Sequence, residues 1–309
     1  MGHPRIYFGR TNRMLKKIFG YNRKVDRAIF ILMGLVPTFV WFFFMFFYPI
    51  FRIFKKSFYD WNLAYQIDQF IGFENFIELT NDRVFLISLE NTFFVVIYIV
   101  PATIILSLLV AILLNNFGDN IREFFTPIYF LPVITSMVAV GIVWKWLYHP
   151  SYGLFNYLLQ LVGLPIQPFL NSPKQALESV SGVVIWRNIG YFAVIILAAL
   201  RGIPNSYYEA AKIDGANKWQ EFRHITLPLL KPTLLFTSIM AIIRAFKIFI
   251  PIQIMTDGGP GNSSMVLVLN IYKNGFEFLE MGYAAAMTVV LFFVIMIITA
   301  IQWLFIRSE

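Results

Sequence analysis

The chain has no cysteine, three histidines, and only 17 acidic residues among 309. Without cysteine there is neither a disulfide framework nor a thiolate metal site. His3, His149 and His224 are far apart and show no ligand spacing. No Gly-x-x-x-x-Gly-Lys-Ser/Thr phosphate loop occurs, so any ATP hydrolysis tied to this chain falls to another one. Charge is scarce at 14%. No pair of acids lies in the middle of an apolar run, and Glu90 sits near the end of one, close enough to reach water. That excludes a paired-carboxylate intramembrane protease and weighs against a proton-coupled carrier, since such carriers use buried acids. No catalytic arrangement stands out, and the expectation is a chain that is not an enzyme and holds neither metal nor cofactor.

What fills the chain instead is apolar. Hydrophobic residues make up 58%, with 34 Phe and seven Trp, a composition suited to lipid and its interfaces. The net charge of +8 does not point to nucleic acid, because eight of the 25 Lys and Arg fall in the first 27 residues. The expectation is an all-α integral membrane protein of six transmembrane helices. A basic N-terminal arm occupies residues 1–27, followed by a membrane domain over 28–309. The spans fall at about 28–50 (kinked at Pro37), 90–115, 124–148 (containing Pro127 and Pro132), 176–200, 233–255 and 283–305. Six spans put both termini and the loop over 204–232 on one side, with fifteen Lys and Arg against six in the opposite loops. The positive-inside rule makes that side cytoplasmic. Arg52, Lys55 and Lys56 fit poorly, since they follow the first span on the external side.

The loop from Pro204 to Pro232 is polar in an otherwise apolar chain. Ser206 with Glu209 fits a capping box, Asp214-Gly215 signals a turn, and Asn217 with Gln220 fits a second helix start. Pro228 and Pro232 are expected to break the chain before the fifth span. Two short helices meeting at a turn would form a compact knob. Within it Glu209-Ala210-Ala211, Gly215 and Ile225-Thr226-Leu227-Pro228 resemble the cytoplasmic loop of importer permeases of the ATP-binding-cassette (ABC) superfamily, which reads Glu-Ala-Ala, three residues, Gly, nine residues, Ile-x-Leu-Pro. The stretches Phe70-Ile71-Gly72-Phe73-Glu74-Asn75-Phe76 and Thr256-Asp257-Gly258-Gly259-Pro260-Gly261-Asn262-Ser263-Ser264 resemble external segments of the carbohydrate-type branch, a likeness that covers the chain from about residue 28 to its end.

The resemblance implies a type I ABC importer permease fold with a cytoplasmic coupling helix, in the cell membrane of a prokaryote. It implies four kinds of partner: a second homologous permease, two ATPase subunits that bind the ATP, an extracellular solute-binding protein and membrane lipid. The coupling residues it implies are Glu209, Ala210, Ala211, Asp214, Gly215, Ile225, Leu227 and Pro228. The solute would be a sugar, with glycerol phosphate or another polar solute as an alternative. A membrane receptor or assembly factor that only docks an ATPase is another. Four cations lie inside the expected spans. Lys145 is near a span end and can reach the interface. Arg187, between Trp186 and Asn188, and the pair Arg244 and Lys247, one turn apart, lie deeper. A charge in lipid costs ~2.5–3.5 kcal/mol on insertion scales, so each should face protein or a watery cavity. Trp186, Arg187, Asn188, Arg244 and Lys247 are therefore candidate walls of a translocation path, with backbone carbonyls or the partner permease as the competing destination.

Overall fold

The computed structural model describes residues 23–307, so the N-terminal arm lies outside the described residues as far as residue 22. Two units divide between Lys55 and Lys56. The first is helical: α1 (Arg23–Phe42), a π turn (Phe43–Phe47) and α2, which runs to Lys56 (Tyr48–Lys56). From Phe30 onward this stretch is long and apolar enough to cross a membrane. The helix does not end at Pro37. Its irregularity falls at the π turn, where one extra residue is accommodated in the ladder.

The second unit opens with a departure from an all-helical chain. β1 (Tyr59–Asn62) and β2 (Ile67–Phe70) form an antiparallel hairpin with Tyr59 opposite Phe70 and Asn62 opposite Ile67. The Asn62 side-chain oxygen closes its turn by accepting from the Ala64 and Tyr65 amides at 2.9 and 3.1 Å. Lys56, one of the three misfit cations, is buried, paired with Asp68 and set over the Tyr59 and Trp61 rings. Its charge is thus neutralised within this small lobe. A short helix, α3 (Glu74–Asn81), follows.

α4 (Arg83–Asn116) begins well before residue 90, because Asp82 caps it by accepting from the Val84 amide at 2.7 Å. The third span, expected as one helix, is instead α5 (Asp119–Ile134) and α6 (Met137–Leu147), bent by 94°. Pro132 cannot donate to the Ile128 carbonyl. Three residues on, the Thr135 hydroxyl takes the Leu131 carbonyl at 3.0 Å, and Thr135 itself is extended (ψ 141°). A side chain competing for a helix carbonyl beside a proline ends the helix. α7 (Leu154–Leu161) and α8 (Ala176–Arg201) complete this half.

After α8 come α9 (Asn205–Ile213), α10 (Lys218–Glu221), a π turn (Phe222–Thr226) and α11 (Leu227–Phe246). The prolines do not break the chain as expected: Pro228 lies in the first turn of α11, Pro232 lies inside it, and helix runs from Lys218 to Phe246. The π turn shifts the hydrogen-bond register just ahead of two residues with no N–H to give. The fifth span breaks elsewhere, at Lys247–Phe249, before α12 (Ile250–Met255). The glycine-rich loop leads to α13 (Leu267–Tyr272), a π turn (Lys273–Glu277) and α14 (Met281–Arg307). Among the described residues five helices are long and apolar enough to cross a membrane, and the count rises to six if the bent α5–α6 pair is one span.

Three buried apolar clusters lie among α4, α6, α8, α11 to α14 and the segments joining them. They are centred on Val180 and Ile252, on Phe192 and Phe246, and on Ile196 and Leu230. The glycine-rich loop is tied to α4 by side chains. Asn91 donates to the Met265 carbonyl at 2.8 Å, and the Thr92 hydroxyl accepts from the Leu267 amide at 2.8 Å.

Candidate coupling loop and translocation wall

α9 starts from Pro204, whose φ of −60° and ψ of 135° set the chain for the first turn without a side-chain cap. The expected Ser206–Glu209 capping box is therefore not formed: Ser206 is already inside the helix and Glu209 is exposed. The C-terminal end follows the sequence closely. Gly215 has φ +79°, its amide donates to the Lys212 carbonyl at 3.1 Å, and the Ala216 amide reaches the Ala211 carbonyl at 2.9 Å. This is a Schellman ending, for which glycine is favoured. The second start is built as a full capping box, with Asn217 accepting from the Gln220 amide at 2.9 Å and Gln220 accepting from the Asn217 amide at 2.8 Å.

Ties that the sequence did not reveal hold this knob together. The Tyr208 and Thr226 hydroxyls are 2.9 Å apart, and the buried carboxylate of Glu221 meets Lys218 at 2.8 Å. α9 buries none of its own residues. Glu209, Ala210, Asp214 and Gly215 are exposed, as are Leu227 and Pro228, with Ala211 and Ile225 half-buried. Large apolar side chains flank them: Ile213 is 86% exposed and Trp219 65%. An exposed helix with a Schellman ending, and bare apolar surface on it and beside it, has the form of a docking surface.

The candidate wall residues do not converge on one pocket. Arg187 donates through Nη2 to the Val133 and Thr135 carbonyls at 3.0 and 3.3 Å. These lie at the broken C-terminal end of α5, where carbonyls lose their helical partners and the dipole favours a cation. Lys145 does the same for α12, donating to the Ile254 carbonyl at 3.3 Å. Arg244 is in the last turn of α11 and Lys247 is its cap residue. All four in-span cations thus sit at or against the C-terminal ends of interrupted helices. Trp186 joins Trp144 at 5.3 Å between ring centroids. Asn188 and Arg244 share a cavity of about 20 Å³ with Thr103, whose buried hydroxyl has no partner. Arg244 also lies over the Tyr191 ring at 4.0 Å. Thr103 and Tyr191 escape a reading by sequence, because they meet Arg244 only across helices.

At the ends of the spans opposite α9, a crevice of about 550 Å³ is lined by Lys145, Tyr148, His149, Asn171 and Thr256. A smaller one of about 260 Å³ is acidic, with Asp60, Glu74, Glu78 and Glu280 around Trp61. Burial raises the Glu280 carboxyl above its ordinary range, and the neighbouring Glu78 and Asp60 add to the shift.

The role of Arg187 at the helix break is directly testable. Arg187→Met should lower the melting temperature of the purified protein, since the carbonyls at the end of α5, one of them part-buried, lose their donor. Arg187→Lys should restore part of it, and an unchanged melting temperature for Arg187→Met would refute the capping role.

Residues 91–308 match the family described as binding-protein-dependent transport system inner membrane component. The chain belongs to that family. Among the permease's relatives, the sulfoquinovosyl glycerol transport system permease SmoG of Agrobacterium fabrum is 33% identical over 285 residues, covering 92% of each chain. The arabinooligosaccharides transport system permease AraP of Bacillus subtilis is 32% identical over 287 residues, covering 91% of this chain and 88% of its own. A chain of the solved bacterial alginate ABC transporter, crystallised with an alginate pentasaccharide-bound periplasmic protein, matches with a TM-score of 0.80 at 24% identity. It covers 93% of the permease and 96% of that chain, and at that identity the likeness speaks for the fold. The architecture is that of a type I ABC importer permease, a multi-pass membrane protein, with its third span broken.

Proposed function

We propose that the permease forms half of the translocation pathway of an ATP-driven, binding-protein-dependent importer of sugars, most simply oligosaccharides. The observation that carries this reading is α9 with its Schellman turn, an exposed helix and ending that bear the Glu-Ala-Ala and Gly positions of the ABC coupling loop. The family match and the names of the relatives, transport systems for sulfoquinovosyl glycerol and for arabinooligosaccharides, support the solute class. In this reading the segment Glu209–Pro228 docks in a cleft of an ATPase subunit, and ATP binds to two such subunits rather than to this chain. A second homologous permease completes the pathway, and an extracellular solute-binding protein delivers the sugar. The charge bias puts α9 and both termini in the cytoplasm, with residues 1–27 as a basic arm and 28–309 as the membrane domain. Closure of the ATPase pair draws the two knobs together and turns the cavity outward; hydrolysis resets it.

The test is reconstitution with the partner subunits in lipid vesicles. ATP-dependent accumulation of labelled oligosaccharide, requiring the binding protein, is the expected outcome. An assembled complex that hydrolyses ATP but moves no solute would favour a docking receptor or assembly factor instead.

A further inference from the structure

We propose that the sugar carried past α8 and α11 is acidic, and that Arg244 and Lys247, with Asn188 beside Arg244, hold its anionic group. This rests on the sugar-importer reading above and adds the charge of the cargo to it.

The argument starts from charge balance. From Asn91 to Asn116, from Ser179 to Arg201 and from Leu227 to Met255 there is no Asp or Glu. Three deep cations, Arg187, Arg244 and Lys247, lie on the last two of these stretches. Arg187 and Arg244 are close enough for their like charges to interact. Arg187 is accounted for by two carbonyls of the broken third span. Arg244 is supported on the Tyr191 face, which steadies a cation without neutralising it. Lys247 caps α11 at a break in the fifth span. Both Arg244 and Lys247 are exposed, and neither has a hydrogen-bond acceptor or carboxylate partner among the described residues. They are three residues apart, Arg244 in the last turn of α11 and Lys247 at its C-terminal cap. Asn188 and the unpartnered Thr103 hydroxyl lie in the cavity behind Arg244, which has room for about one water.

Unneutralised cations at membrane depth belong on a watery path rather than in lipid. On such a path a neutral sugar would leave them without a counter-charge, whereas a carboxylate or sulfonate would supply it. Guanidinium and ammonium groups next to an amide match an anion on a hydroxyl-rich ring: the cations take the anion and the amide takes a hydroxyl. The stacked Tyr191 holds the guanidinium in place.

The experiment uses the full complex with its binding protein in vesicles. The probes are matched uronate di- and trisaccharides of several linkages, each as free acid and as neutral methyl ester. ATP-dependent uptake should favour the acids. Arg244→Gln combined with Lys247→Gln should lower acid uptake by about tenfold or more, while the binding protein's own affinity stays the same. Arg244→Lys, which keeps the charge, should recover part of the loss. Equal uptake of acids and esters, with the double variant at wild-type rates, would overturn the acidic assignment and leave sugar import standing. Acid preference that survives the double variant would place the selection in the binding protein and overturn it too. Loss of the second permease from the purified double variant would show that these cations pair with that subunit. If no saccharide of either charge is taken up, the sugar reading itself falls.

Discussion

Gly215→Val should uncouple ATP hydrolysis from transport while leaving the spans inserted. Gly215 ends α9 at φ +79°, a conformation that costs an ordinary residue roughly 1–2 kcal/mol and a β-branched one more. The Schellman bonds from Gly215 and Ala216 orient α9 against the Asn217–Gln220 start. Relaxing that φ would swing the exposed helix away from its set angle. A Cβ at this position meets nothing within 4 Å inside the permease, so the cost is local backbone strain rather than a clash. The readout is ATPase copurification together with solute-stimulated hydrolysis and uptake. Wild-type coupling in Gly215→Val would remove this loop as the transmission element. Gly215→Asn separates two causes, since Asn tolerates the left-handed conformation. Restored coupling means that backbone strain was the fault, whereas failure means that the position lies against a partner surface with no room for a side chain.

Much of the knob was legible because its signals are local. A capping box, an Asp-Gly turn and a helix ending are each read from a few consecutive residues, and Asn217, Gln220 and Gly215 behave as their chemistry requires. Ser206 misled because Pro204, two residues earlier, was free to open the helix first. The spans were legible as apolar runs, but their interruptions were not. Pro228 and Pro232, expected to break the chain, are absorbed by a π turn, whereas Pro132, expected inside an unbroken span, ends a helix with help from Thr135. The difference lies in what the neighbouring residues offer the orphaned carbonyls. For α5 part of that offer comes from Arg187, fifty-four residues on from Val133. The in-span cations stand out in the sequence as costly charges, but their shared position against helix ends is visible only once those ends are located. Lys145 and Arg187 each donate to a C-terminal end that an uninterrupted span would not have, and Lys247 closes another through its backbone amide.

Gly190→Ala should be among the most disruptive single substitutions in the chain, with a loss of about 3 kcal/mol or more. Nothing in the sequence marks this glycine: it follows Asn188 and Ile189 in the middle of an apolar run, where it reads as a weak point in a helix. In the fold it is buried on the face of α8 that meets α5, and a Cβ there would run into the Tyr129 backbone carbonyl. Small residues let membrane helices approach to backbone contact, where packing rather than hydrophobicity drives association. The obstruction is backbone, so no rotamer change can relieve it, and α5 would have to move as a body. That movement would also pull the Val133 and Thr135 carbonyls from Arg187, three residues before Gly190 on α8. Both losses act on the same joint, so the bend between α5 and α6 should loosen along with the α5–α8 contact. Purified Gly190→Ala is therefore expected to melt well below wild type, and protease should cut near residues 119–137 faster than in the wild-type protein. A variant with parental melting and an intact digestion pattern would show that α5 can shift at little cost, and that the broken third span is held by its own residues rather than by α8.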